Sequence, residues 1–273
     1  MNNICLFCES VSIIDLFSSS IACVYQCKIC KGIFSEPKVN TDELYDERYF
    51  KVNYESIENQ QAERFVRYVK LIQKYKDHGR ALDYGCGTGI FLKVLNEHGY
   101  FNNVGVDVSR QALMLAKHNV SEKDYLLHST EKIKGKFDII SFVDSIAHIF
   151  NAQSILKELI SSNLNKDGIL FIRTPNINRC YVIYTKLLGL FLPKAYMNSV
   201  YFAPNRYLLF NKSAMNCFLD RIGMKVLYIK LQKDYLRKVK AYSIKQRIGH
   251  FLLKKIPSLL NPLNSMIVIA TRR

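Results

Sequence analysis

The chain has 273 residues, 49% of them hydrophobic, enough to bury one substantial core plus a small accessory module. It carries 39 Lys and Arg against 23 Asp and Glu, and the excess sits at one end: residues 1–164 hold 19 basic and 20 acidic residues, residues 165–273 hold 20 and 3. The N-terminus has no basic region leading into an apolar run, which argues against a signal peptide, and no stretch reaches the ~20 apolar residues needed to cross a bilayer. The longest apolar segment, Tyr181 to Leu192, is too short and is broken by Lys186. These features predict a cytoplasmic protein, free or peripheral at the inner face of the membrane, whose cysteines are metal ligands or buried thiols rather than disulfides.

Four of the eight cysteines form a pattern: Cys5 and Cys8, then 18 residues, then Cys27 and Cys30. Each Cys-x-x-Cys can wrap one side of a metal, and two such knuckles complete a tetrahedron of sulfurs, a geometry and donor set that suit zinc. Residues 1–40 are therefore read as a zinc-ribbon-like module with a closed, structural site, the alternative being four thiols that are merely buried. Cys23 is read as a small core residue. A linker and N-terminal helix follow over 41–78, with Ala62, Phe65, Val66, Val69 and Ile72 recurring on one face of a helix predicted from Ser56 to Tyr75. From residue 79 onward, short β-rich runs (ALDYG, NVGVDV, YLLHS, FDIISFVD, GILFIRT) alternate with helical segments at Ile90–His98, Ser109–Asn119 and Asn151–Asn163. That alternation predicts an α/β fold, a parallel sheet with helices on both faces.

The residues that carry chemistry begin at Asp83-Tyr84-Gly85-Cys86-Gly87-Thr88-Gly89, between the strand ALDYG and a helix opening at Ile90. Glycines at 85, 87 and 89 allow a sharp turn and close approach of a ligand to the backbone, and the helix points its N-terminus at that ligand. Asp107, followed by Val108, ends the next strand, where a carboxylate can hold the two hydroxyls of a ribose.

With these motifs the sequence resembles the class I S-adenosylmethionine (SAM)-dependent methyltransferases over about Arg80 to Met224, where D-x-G-C-G-x-G is the first motif and an acidic residue ending the second strand is the next. The resemblance implies a Rossmann-like sheet. It places Gly85, Cys86, Gly87 and Gly89 around the methionine part of SAM, Asp83 near its amino group and Asp107 with Val108 at the ribose. KFDIISFVDSIAHI, DGILFIRTPN and RYLLFNKSAMNCFLDRIGM resemble later elements of the same superfamily. The four-cysteine module with LYDERYF resembles methyltransferases of sugar, cell-envelope glycan and natural-product pathways. Three positions depart from the pattern. Ala147 replaces a Glu common before the histidine, Arg206 replaces a His, and Ser129 or Thr130 stands where an acid usually faces the adenine amino group.

If the acceptor is a hydroxyl, a general base is needed, and His148 is the candidate, in the loop after the fourth strand; the competing reading is a packing histidine. Asp144 would contact the acceptor or the methionine moiety, while Asn176 and Tyr49 would line the pocket. An insertion at about 233–263 carries eight basic residues and one acid, with Ile244, Ile248, Phe251, Leu252 and Ile256 at helical spacing. It fits an anionic membrane surface, a phosphorylated acceptor, or water on an ordinary packed helix. The leading expectation is O-methylation of a sugar, glycan precursor or related small metabolite, with SAM as cofactor and zinc as structural metal. RNA methylation and a non-catalytic SAM-binding scaffold are the alternatives. Nucleic acid is the less favoured partner, because the ribbon segment has 3 Lys against 3 acids.

Overall fold

The computed structural model describes residues 4–38, 58–189, 206–233, 259 and 263–273. Tyr49, the acidic-aromatic segment around it and nearly all of the basic insertion lie outside the described residues.

The C-terminal body is a seven-stranded sheet. In chain order its strands are β4 (Ala81–Tyr84), β5 (Val104–Asp107), β6 (Tyr125–His128), β7 (Phe137–Val143), β8 (Leu164–Pro175), β10 (Met224–Gln232) and β11 (Ser265–Arg272). They lie in the order β10-β11-β8-β7-β4-β5-β6. Neighbours from β8 to β6 run parallel, and β11 runs antiparallel to both β8 and β10. The chain moves outward from β4 through β5 to β6, then returns to start again at β7 on the other side of β4. This reversal opens a crevice at the carboxyl ends of β4 and β7, the place where open α/β sheets bind ligands.

Alternate side chains of each strand enter two cores. On one face Ala81, Ile139, Ile169, Phe171, Ile267 and Ile269 pack under helices α1 (Glu58–Ile72) and α2 (Ile90–Glu97), with Leu113 of α3 (Arg110–Ala116). The helical face read from the sequence is the one used: Phe65, Val69 and Ile72 are buried. On the other face Leu82, Ile140, Phe142, Leu170 and Val268 meet α4 (Ala152–Asn163) and the helix Lys212–Arg221. The described part of the apolar segment after β8 lies in a helix, α5 (Arg179–Gly189); the helix Lys212–Arg221 is α6. No described helix is long and apolar enough to cross a membrane.

The N-terminal strands β1 (Ile13–Ser18), β2 (Ala22–Cys27) and β3 (Ile33–Pro37) form an antiparallel sheet, as a ribbon requires. Its fourth strand comes from far along the chain: β9 (Leu208–Leu209) pairs with Phe34 and Ile33. The ribbon shares the core of the α4/α6 face, with Phe7 and Phe34 fully buried there.

Candidate cofactor site and metal cluster

The loop after β4 is held by β5: the N–H groups of Gly85 and Cys86 both donate to the carbonyl of Val106, at 2.7 and 3.0 Å. Gly85, Gly87 and Gly89 have φ of +85°, +53° and +77°, left-handed conformations that favour glycine. The neighbours of two of them are protein. A Cβ on Gly85 would lie 2.3 Å from the Cβ of Ser145, and one on Gly89 about 3 Å from Val120 and Ala116. Gly85 thus lets the turn after β7 close onto the loop, and Gly89 lets α2 start against the end of α3. Ser145 Oγ also donates to the Tyr84 carbonyl, so the turn after β7 touches the end of β4.

Two carboxylates face this loop. Asp83 is buried, and its one hydrogen-bond donor among the described residues is Ser141 Oγ at 2.7 Å. Burial, with a smaller contribution from the charge of Asp107, pushes its pKa up to about 7 against the opposing bond from Ser141. Asp107 Oδ2 accepts from the Gly87 N–H and Oδ1 from the Ser109 N–H, each at 2.9 Å. Burial raises its pKa, and those backbone donors oppose the rise. The Cys86 sulfur covers Gly105, and burial raises its thiol well above 9, so it remains a protonated thiol at neutral pH.

Past β5 and β6 the rim consists of Val108, half exposed, and the segment 128–130. The Ser129 N–H donates to the Asp107 carbonyl. His128 Nε2 lies 2.9 Å from the Val108 carbonyl and Nδ1 lies 2.8 Å from Thr130 Oγ1. A carbonyl can only accept, so Nε2 carries the proton and the Thr130 hydroxyl donates to Nδ1.

Across the crevice, β7 runs into Asp144 and a short 3₁₀ turn, Ile146–His148. Asp144 adopts φ of +62°, and its N–H donates to the Arg173 carbonyl at 2.8 Å. Its carboxylate is paired with Arg173 of β8 and, at 3.8 Å, with Arg64 of α1. His148 sits half-buried at the end of the turn, its N–H donating to the Ser145 carbonyl. Ala147 is buried, its carbonyl accepting from the Tyr207 N–H at 2.8 Å. Asn176 is tied to the start of β11: its N–H donates to Asn264 and its side chain to the Leu263 carbonyl. Sequence reasoning missed Ser141, Ser145, Arg64 and Arg173. Of these only Arg173 leaves a sequence signal, a lone cation within the otherwise apolar run ILFIRTP.

The four predicted cysteines converge. The sulfurs of Cys5, Cys8, Cys27 and Cys30 all lie within 4.8 Å of one another, with Cys5–Cys30 at 3.7 Å and Cys8–Cys27 at 3.6 Å. Sulfurs placed tetrahedrally ~2.3 Å from zinc have edges of ~3.8 Å, so the cluster has the size of a zinc site. The two knuckles repeat each other. Phe7 N–H and Ile29 N–H donate to Cys5 and Cys27 sulfurs, and Glu9 and Lys31, each just after the second cysteine, have φ of 56° and 61°. Cys23, expected in the core, is only partly buried and stands apart from the cluster, its sulfur 3.4 Å from Ser18 Oγ in a hydrogen bond.

Residues 57–243 match the family described as a methyltransferase domain. The chain belongs to that family. The seven-stranded sheet is that of a class I SAM-dependent methyltransferase domain, and membership of the family implies SAM as the methyl donor. The methyltransferase is 34% identical over 104 residues to the mitochondrial ubiquinone biosynthesis O-methyltransferase of Saccharomyces cerevisiae, covering 35% of this chain and 33% of that one. It is 30% identical over 135 residues to EEF1A lysine methyltransferase 2 of Danio rerio, covering 40% and 58%. The chain thus spans between 33% and 58% of the length of these relatives. Among solved structures, a methyltransferase of Bacillus halodurans matches with a TM-score of 0.56 at 14% identity, over 75% of this chain and 97% of that one, a likeness of fold.

Proposed function

We propose that the chain methylates a hydroxyl oxygen of a small acceptor, a sugar, glycan precursor or related metabolite. The observation that carries this reading is the place of His148, at the end of the turn that Ser145 pins against Gly85, on the acceptor side of the crevice. The O-methyltransferase among the relatives supports it.

When bound, SAM supplies a methyl group made electrophilic by its sulfonium, so the protein's work is placement and proton removal. Asp107, which already fixes the Gly87 and Ser109 N–H groups, would hold the ribose hydroxyls. Asp83, buried beneath the loop, would order it near the amino group of the methionine moiety. Thr130, its hydroxyl hydrogen directed at His128, would leave its oxygen free to accept from the adenine amino group in place of an acid. His148 takes the proton of the acceptor hydroxyl, a contribution of roughly 10²–10⁴-fold. Asp144, gripped by Arg173 and Arg64, shapes the acceptor wall. Zinc held by the four-cysteine cluster would be structural. The basic insertion, nearly all of it outside the described residues, would meet a phosphate on the acceptor, an anionic membrane surface or only water.

The test supplies purified protein with methyl-labelled SAM and a cell lysate separated into RNA, protein, glycan and small-metabolite fractions. Label in the glycan or metabolite fraction that survives ribonuclease and falls at least ~100-fold with His148→Ala supports the reading. Label in RNA lost to ribonuclease, or in protein lost to protease, contradicts it.

A further inference from the structure

We propose that the four-cysteine ribbon positions the acceptor side of the active site, through β9 and its flanking residues Tyr207 and Phe210, and bears far less on the SAM side. On one flank this strand belongs to the ribbon. Leu208 and Leu209 pair with Phe34 and Ile33, the Ser35 N–H donates to the Tyr207 carbonyl at 2.9 Å, and Asn211 Nδ2 donates to the carbonyl of the metal-ligand residue Cys30 at 3.2 Å. Phe7, between the first two cysteines, packs edge-on against Phe210 at 5.0 Å. The fit is close enough that a Cβ on Gly32 would meet both the Phe7 ring and Ala214 of α6 within 2.8 Å.

On the other flank the same strand holds the segments leaving β7 and β8. Tyr207 N–H donates to Ala147 in the turn that carries His148, and the Tyr207 ring stands edge-on to Phe150 at 5.5 Å. The Phe210 carbonyl accepts from the Ile177 N–H at 2.9 Å, next to Asn176. A two-residue strand has little stability of its own, and its conformation follows the sheet it joins. The SAM loop is braced instead by Val106 of β5, and Asp107 by the N–H groups of Gly87 and of Ser109, the N-cap of α3. Tyr207 is thus a positioning residue, acting on the acceptor wall through Ala147, and the cluster sets its place through β3. The catalytic consequence rests on the role assigned to His148; the mechanical link does not.

Residue-resolved amide exchange of the full chain tests the link, with zinc bound, after stripping by a chelator, and after zinc is restored. The proposal predicts that stripping speeds exchange at Tyr207, Ile177 and His148 by about tenfold or more. Gly87 and Ser109 amides, bonded to Asp107, change less than about twofold, and SAM affinity measured by calorimetry changes less than about threefold. Zinc reverses the change. Faster exchange confined to residues 4–38, equal acceleration at Gly87 and Ser109, or a parallel loss of SAM affinity overturns it. If the stripped chain unfolds throughout, the zinc-loaded Asn211→Asp variant decides, because Asp keeps the N-cap of α6 but cannot donate to Cys30. It is expected to speed exchange at Tyr207 and His148 about threefold over Gly87; no difference overturns the proposal. Exchange reads the backbone alone, so failure of His148 as a base leaves this outcome unaffected.

Discussion

The carboxylate of Asp83 is buried beneath the glycine loop with Ser141 Oγ, 2.7 Å away, as its hydrogen-bond donor. A single neutral hydroxyl does not offset the cost of burying the charge, so the pKa rises from 3.8 to about 7. The folded pKa lies above the unfolded one. Stability is therefore fully present below pH ~4 and is lost as pH climbs through about 7, by roughly 4 kcal/mol in total. The ligand-free protein should lose stability from pH 5 to pH 8, and Asp83→Asn should flatten that slope. Thermal unfolding of both proteins across this range checks it, and a slope unchanged in the variant would be contrary. A cationic amino group bound beside Asp83 favours the ionised form, so SAM affinity should rise over the same window and SAM should flatten the wild-type slope.

Gly85→Ala should destabilise the protein by about 2 kcal/mol or more, because φ of +85° is strained for Ala and the new Cβ falls 2.3 Å from that of Ser145. Adding Ser145→Gly removes the collision and leaves the strain. The double variant should recover part of the loss in denaturant unfolding, and additive losses would show that the two positions do not touch.

The cysteine cluster predicts one zinc per chain by elemental analysis. Because thiols must lose protons to bind, affinity should rise with pH. Cys27→Ser should lower both zinc content and melting temperature, whereas Cys23→Ser, outside the cluster, should alter neither by much. Full zinc content in Cys27→Ser would refute the assignment.

Much of this was legible in the residue order. Short β-rich runs marked β4 to β8, and the buried face of α1 followed from Phe65, Val69 and Ile72, because burial on one side of a helix leaves a period in the sequence. The paired Cys-x-x-Cys spacing located the cluster for the same local reason. Long-range contacts leave no period. Ser145 against Gly85, Ser141 on Asp83, and Arg64 with Arg173 on Asp144 join residues that are dozens of positions apart. The two-residue strand Leu208–Leu209 is too short to announce itself, so the join between ribbon and body appears only in three dimensions. Likewise, β8 begins at Leu164 rather than at Gly168, since Asn165, Lys166 and Asp167 hide its polar start.

The central claim is that SAM is held between the Gly85 loop and Asp107, and calorimetric titration with SAM tests it most directly. Wild-type protein should bind one SAM per chain. Asp107→Ala, which removes the acceptor for the ribose hydroxyls and for the Gly87 and Ser109 N–H groups, should weaken binding at least ~100-fold while the protein remains folded by circular dichroism. Undiminished affinity in a folded Asp107→Ala variant, or no binding by the wild type, would contradict the account.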